Sequence, residues 1–328
     1  MTEIDIKLAR YKGLKIKKNK LEVKEEEIKK ALDYLQNSRA KIITVNRPAE
    51  KGDRVEIDFE VRQNDVKIED GKSKNHPLIL GQGHFLPGFE KELEGMKEGQ
   101  EKNFSLKTPD DWPDRRIADK NLDFKVKMKL VQKRELPIIN DNFAKSLGKF
   151  QSLTDFKESI KDGLMQEKEI KEKQRIRIEL IEKIAENSEI EIPENLVIQE
   201  IEKMITELKM SIANIGLDFE IYLKQIKKNT DDLKKDFRKQ AEKRKRINVC
   251  LGEIAERENI EVSDEEVTAR VNEGLKLYSN IGEAKKNIDP SPLAEGGRVD
   301  LAILKEYTRN VLRNEKVFEL LEKEARVE

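Results

Sequence analysis

The chain has 328 residues, 66 of them basic and 66 acidic, so its net charge is zero although 40% of it is charged. That balance gives no electrostatic reason to expect nucleic acid or an anionic membrane as a direct partner, and no stretch approaches the roughly 20 apolar residues of a membrane span. One cysteine cannot close an internal disulfide, and two histidines, His76 and His84, are too few for the usual His/Cys metal cluster, so neither metal nor cofactor is expected. Met1-Thr2-Glu3-Ile4-Asp5 has neither the basic start nor the apolar core of a secretory signal, which makes a cytoplasmic location the expectation.

In chain order, Leu14-Lys15-Ile16 reads as a short strand, and Ile28, Ala31, Leu32 and Leu35 recur at the spacing of one helical stripe. Asn46-Arg47-Pro48 closes that helix, because a residue before proline avoids the α region. Between 48 and 136 the period changes to two: Val55, Ile57, Phe59 and Val61 alternate with acids, and Phe124, Val126, Met128 and Leu130 alternate with lysines. Phe104 and Leu106 form a third, shorter strand, and 91–96 is either a helical turn or loop. After Leu136-Pro137 the chain turns helical, with a long segment over 154–186 carrying Phe156, Ile160 and Leu164 on one stripe and Ile176, Leu180, Ile181 and Ile184 on another. Pro193-Glu194 suits a helix start, Ser263-Asp264-Glu265-Glu266 reads as a capping box, 287–298 as a loop and 299–324 as a last helix. Cys250, inside Ile247-Asn248-Val249-Cys250-Leu251, reads as a small core residue. The fold class is α+β: a small antiparallel β domain over 46–136, then an extended all-α domain with helical arms over 137–328, with the strand and helix of 1–45 packing on that helical domain.

The densest segment for a binding surface is Leu78-Ile79-Leu80-Gly81-Gln82-Gly83-His84-Phe85-Leu86-Pro87-Gly88-Phe89-Glu90, where glycine and proline punctuate a run of large apolar side chains. Several chemistries are excluded. No Gly-x-Ser-x-Gly elbow and no phosphate-cradling Gly-x4-Gly-Lys-Ser/Thr occurs, and the third glycine of a dinucleotide loop starting at Gly81 would fall on Leu86. What remains is chemistry that needs an apolar pocket and few ionisable groups.

The stretch Gly81-Gln82-Gly83-His84-Phe85-Leu86-Pro87-Gly88-Phe89-Glu90, followed by Leu93-Glu94-Gly95-Met96-Lys97-Glu98-Gly99, resembles the FKBP-type peptidyl-prolyl isomerases. The continuation through Glu135-Leu136-Pro137 into a long helical region is similar to the trigger factor family of bacterial folding chaperones. The resemblance implies an FKBP-like β domain with a pocket formed by Phe59, Phe85, Leu86, Phe89, Trp112 and Phe124. In it Phe89 is the floor beneath the proline ring, Phe85 and Leu86 lie where a backbone amide meets the substrate carbonyl, Trp112 closes the pocket, and Ile68 and Glu69 face the substrate. Two departures stand out: Ile68 replaces a common aromatic residue, and Ile117-Ala118-Asp119-Lys120-Asn121 replaces a more glycine-containing loop. The helical domain is implied to hold unfolded or nascent polypeptides, with Met204, Ile205, Leu208, Met210, Ile212, Phe219, Tyr222 and Leu223 as candidate contacts that could equally pack helix on helix. The alternative is a holding chaperone whose FKBP-like domain no longer catalyses. No Gly-Phe-Arg-x-Gly loop of the family's ribosome-docking domain occurs, so a ribosome partner is expected only where such an N-terminal domain is supplied.

Overall fold

The structure is a computed structural model that describes residues 4–64, 66–83, 85–112, 114, 117–280, 294–295, 298–299 and 301–327. Strands β1 (Ile6–Lys7) and β2 (Lys15–Ile16) precede helix α1 (Glu25–Ser38). Strands β3 (Lys41–Thr44), β4 (Arg54–Gln63) and β5 (Val66–Ile79), helix α2 (Phe89–Leu93), and strands β6 (Glu101–Lys107) and β7 (Asn121–Glu135) follow. Next come α3 (Asp141–Leu147), α4 (Leu153–Asn187), β8 (Glu189–Ile190), α5 (Glu194–Asn214), α6 (Phe219–Gln225), α7 (Thr230–Arg257) and α8 (Asp264–Asn280). The short strands β9 (Ala294–Glu295) and β10 (Arg298–Val299), helix α9 (Leu301–Glu324) and β11 (Arg326–Val327) make up the rest. Residues 22–165 form one compact unit, and residues 1–21 with 166–328 form the other.

In the first unit, β7 organises an antiparallel five-stranded sheet. One edge of β7 pairs with β4, and the other pairs first with β6 and then with β3; β5 lies outside β4. Strand alternation explains the core: Leu122, Phe124, Val126 and Met128 are buried while the residues between them face water. Strand β5 is not evident in the sequence because Lys67, Lys72, Ser73, Lys74 and Asn75 give it little apolar period. It forms as an edge strand with one side wet, which is also where Pro77 is tolerated. Its register against β4 jumps from Ile57–His76 to Phe59–Ser73, an irregularity that re-aims the chain near Phe59. A smaller core gathers Ile28 and Leu32 of α1 with Phe143, Ala144 and Phe156. The helix α1 thus packs on α3 and the first turns of α4, while β3 satisfies its backbone on β7.

In the second unit, Ile176, Leu180, Ile181 and Ile184 of α4 pack with Cys250, Leu251 and Ile254 of α7 and Val317 and Leu321 of α9. The two stripes read on the 154–186 helix therefore serve two separate cores. Cys250 is fully buried, and burial pushes its thiol pKa up, as suits a packing residue. Two strand pairs fasten the N-terminal segment: β1 runs antiparallel to β8, and β2 runs parallel to β11. The capping box forms as read, Ser263 Oγ accepting from the Glu266 N–H at 3.2 Å and Glu266 accepting from the Ser263 N–H at 2.9 Å. Most of the expected 287–298 loop lies outside the described residues; at its end β9 and β10 pair antiparallel.

One buried carboxylate ties the N-terminal segment to α4. Glu172 accepts from the Asn19 N–H at 2.7 Å, from Asn19 Nδ2 at 3.0 Å and from Arg175 at 2.8 and 2.9 Å, while Arg175 also donates to the Lys17 carbonyl at 2.7 Å. The Arg175 guanidinium first, then the Asn19 amide, hold the Glu172 carboxyl at a pKa of about 2. Since an unfolded glutamate titrates near 4.5, the carboxylate favours the folded state at any pH above that value and loses this contribution as pH falls toward 2. The protection factor of the Asn19 amide, its exchange rate relative to that of an unstructured amide at the same pH, is expected to fall on acidification through this window, and Glu172→Gln is expected to flatten that dependence; a pH-independent protection factor in the wild type would refute the assignment.

Candidate active site

The site is assembled around the turn into α2. Gly88 has φ +90°, in the left-handed region, and a Cβ there would come within 3.3 Å of Leu106 Cδ2, so glycine is what lets the chain turn into α2 at this spot. The Phe89 N–H donates to the Leu86 carbonyl at 2.9 Å, and Phe89 drops into the interior, fully buried with Leu93 and Met96. The next residue, Glu90, is also buried, and one oxygen of its carboxylate accepts from the N–H groups of Gly81 at 2.6 Å and Gly83 at 3.0 Å. A charge withdrawn from water needs such partners, and here they stitch the 81–83 loop to the helix.

Phe89 is the hub of a ring cluster. Phe85 stacks on it with centroids 4.0 Å apart and planes at 27°, while Phe124, Phe104 and Phe59 meet it at 5.1, 5.5 and 6.3 Å. Phe59 stands edge-on to Phe85 at 5.4 Å, and His76 of β5 stands edge-on to both Phe59 at 5.4 Å and Phe85 at 5.8 Å. These offset and edge-to-face arrangements are the ones that ring quadrupoles favour. The loop carrying Trp112 is pinched at its base by the buried Thr108, whose hydroxyl accepts from the Lys120 N–H at 2.9 Å and donates to the Ile117 carbonyl. Asp119 adopts φ +55° without being glycine; a 2.8 Å ion pair with Lys107 holds it and keeps its carboxyl below the usual range. Trp112 and Ile117 thereby pack against the ring cluster.

Of the residues read from the sequence, Phe59, Ile68, Phe85, Leu86, Phe89, Trp112 and Phe124 all meet around this one core. Glu69 lies in β5, and its side chain falls outside the described residues, as does His84. Phe89, Phe124 and Leu86 are buried, whereas Phe59, Ile68, Phe85 and Trp112 are half-buried and form the accessible part. Beside Phe85 a cavity of about 310 Å³ is lined by Arg54, His76, Pro77, Leu78, Ile79, Gln82, Phe85 and Glu90. His76 and Glu90 are not evident as site residues in the sequence: the first emerges only when β5 is recognised, and the second is one of 66 acids. Among the described residues, no group of three or more His, Cys, Asp or Glu side chains could hold a metal ion.

The helical residues divide differently. Met204, Ile205, Ile212 and Leu223 are buried, Met204 and Ile205 in a core with Val197, Ile201 and Ala241, so these four do not stand out as surface contacts. Leu208, Met210, Phe219 and Tyr222 are half-buried, with the Phe219 and Tyr222 rings stacked at 6.4 Å. The exposed apolar side chains nearby are Ile215, Ile221 and Ile226, which sequence periodicity did not single out.

Removing the Glu90 carboxylate should leave the N–H groups of Gly81 and Gly83 without this acceptor. Glu90→Ala is expected to destabilise the sheet unit by about 1.5–3 kcal/mol, the range for hydrogen bonds to a charged group, and Glu90→Gln by less. Urea melts with amide exchange at Gly81 and Gly83 read this directly; unchanged exchange at both would contradict the stitch.

Comparison with known proteins places these features in a family. The family model for FKBP-type peptidyl-prolyl cis-trans isomerase matches residues 45–129, and that for the bacterial trigger factor C-terminus matches residues 152–323, more than half of the chain. Trigger factor of Caldicellulosiruptor saccharolyticus is 35% identical over 272 residues, covering 83% of this chain and 62% of that protein. Trigger factor of Bacillus cytotoxicus is 34% identical over 303 residues, covering 91% of this chain and 71% of that one. A solved trigger factor chaperone, described for promiscuous substrate recognition in folding and assembly activities, shares the fold with a TM-score of 0.50 at 22% identity, covering 97% of this chain and 72% of its own. The chain thus spans less than two thirds of some relatives' length, yet over the part they share, the match to both domains in the same order shows that it belongs to the trigger factor family.

Proposed function

We propose that this protein acts in the cytoplasm as a folding chaperone that binds unfolded or nascent polypeptides and catalyses cis–trans isomerisation of their Xaa–Pro bonds. The observation that carries the enzymatic part is the gathering of Phe59, Phe85, Phe89, Phe104 and Phe124 into one ring cluster at the turn into α2. Rotating an amide costs about 18–20 kcal/mol because planarity comes from resonance, and uncatalysed Xaa–Pro exchange takes tens to hundreds of seconds. Twisting the bond removes resonance and makes the amide less polar. A dry aromatic surface therefore favours the twisted amide over the planar one, which is preferential binding of the transition state and requires no nucleophile or tuned acid. Phe59, Ile68, Leu86, Phe89, Trp112 and Phe124 are the residues we assign to this surface, with Phe85 at its margin.

For the holding part, support comes from apolar side chains left in water on the helical unit: Ile215 is 75% exposed, Ile221 50% and Ile226 36%, beside the half-buried Leu208, Met210, Phe219 and Tyr222. Scattered apolar contacts of this kind bind many sequences weakly rather than one tightly. Ribosome contact belongs to this proposal only together with an N-terminal docking domain of the family type. A holding chaperone without catalysis is the second reading, favoured by the Phe85 ring that covers Phe89.

Exchange NMR on a short Xaa–Pro peptide separates the two. The wild type is expected to accelerate exchange, and Phe89→Leu, which keeps most of the volume, to lower that acceleration about tenfold, equivalent to about 1.4 kcal/mol; exchange at the uncatalysed rate in the wild type would leave only the holding reading. In aggregation assays with several unrelated unfolded proteins, the triple variant Ile215→Ser, Ile221→Ser, Ile226→Ser is expected to lose most of the protection at unchanged helicity. Full protection by that variant would remove these residues from the holding surface.

A further inference from the structure

We infer that in the free protein Phe85 occupies the place where a substrate's prolyl ring stacks, so that the pocket is filled by the chain itself and opens when this side chain swings aside. The inference rests on the isomerase reading of the ring cluster. Its first observation is distance: the Phe85 and Phe89 centroids are 4.0 Å apart and nearly parallel. A third ring between them would need about 7 Å, twice the optimal carbon–carbon separation. No substrate ring can reach that face of Phe89 while Phe85 stays where it is.

Burial says which ring must move. Phe89 is fully buried, and its contacts with Phe104 and Phe124 come from the sheet, whereas Phe85 is only half-buried and packs on the margin of the core. Phe85 also lies outside any helix or strand, between a loop fastened by Glu90 and the turn closed by the Phe89 N–H on Leu86. Its backbone is therefore anchored on both sides, and a rotamer change suffices to displace the ring. The displaced ring has somewhere to go: the cavity of about 310 Å³ that Phe85 itself lines together with His76, Leu78 and Gln82. Once it leaves, Phe59, whose edge now contacts Phe85 at 5.4 Å, becomes a wall for the incoming ring.

Displacing a stacked ring weakens apparent binding by the fraction of time the pocket is open, without altering what happens after binding. The loss matches a stacked aromatic pair, which corresponds to about two- to tenfold in affinity.

The test uses the full chain with isotope-labelled phenylalanine rings and a blocked Ala-Leu-Pro-Ala peptide. Without peptide, a strong ring-to-ring Overhauser contact between Phe85 and Phe89 is expected, and it should vanish at saturation. Phe85→Ala and the more conservative Phe85→Leu should each bind the peptide about two- to tenfold more tightly than the wild type, with kcat/KM for exchange rising by the same factor. Weaker binding in both variants would overturn the inference and make Phe85 the surface on which substrate rests. Equal affinity, a ring contact that persists with peptide bound, or no binding to any of the three chains would overturn it as well. Failure of the isomerase reading looks different: exchange stays at the uncatalysed rate in all three chains while the lost ring contact and tighter binding persist.

Discussion

A carboxylate buried in a protein must have its oxygens occupied, and the way Glu90 meets that demand sets the geometry of everything around it. Its neighbour Phe89 is the most central ring of the sheet unit, so two consecutive residues of α2 carry opposite duties. One fills the apolar interior; the other reaches back to draw the backbone at Gly81 and Gly83 onto the helix. With both in place, Phe85 stacks on Phe89. The aromatic surface thus depends on a polar contact that touches no ring.

The second unit is organised by a different economy of apolar surface. The helix α4 contributes Ile176, Leu180, Ile181 and Ile184 to its core, while Ile178, between them, remains 54% exposed. Along α5, α6 and α7 the buried positions (Met204, Ile205, Ile212, Leu223, Leu233, Ala241) hold the helices together, and what stays outside is a handful of isoleucines. Helices with such narrow stripes cannot bury every apolar side chain they carry. The same shortage that limits the core leaves the exposed isoleucines on which the proposed holding role rests.

These divisions were only partly legible in the sequence. Strands β4 and β7 announce themselves because each alternates apolar and charged residues over many positions, and Pro193 and Ser263 mark their helices because capping is a local matter. Strand β5 does not, since an edge strand needs only one covered side and its middle is built of lysine, serine and asparagine. His76 follows from that omission: on an unrecognised strand, a histidine two positions before Leu78 gives no sign that it meets Phe59 and Phe85. On the helices, periodicity tells which residues share a face but not which neighbour will claim that face, so Met204 reads as an available contact until its burial is seen. Glu90 was hidden for a simpler reason: its role is defined by a fold-back to Gly81 and Gly83, not by its own type.

A self-filled aromatic pocket is compatible with catalysis because of where each cost falls. Covering Phe89 penalises the planar substrate and the twisted amide alike, since both need Phe85 out of the way, so it weakens binding without raising the barrier between bound states. Discrimination between planar and twisted forms then rests with the rings that remain after Phe85 has moved, chiefly Phe59, Phe89 and Phe124. Under the proposed isomerase reading, weak binding with an unaltered bound-state barrier suits a surface that must release a chain it has just turned. A pocket left open on the same rings would hold prolyl segments more tightly and gain nothing in the rotation step.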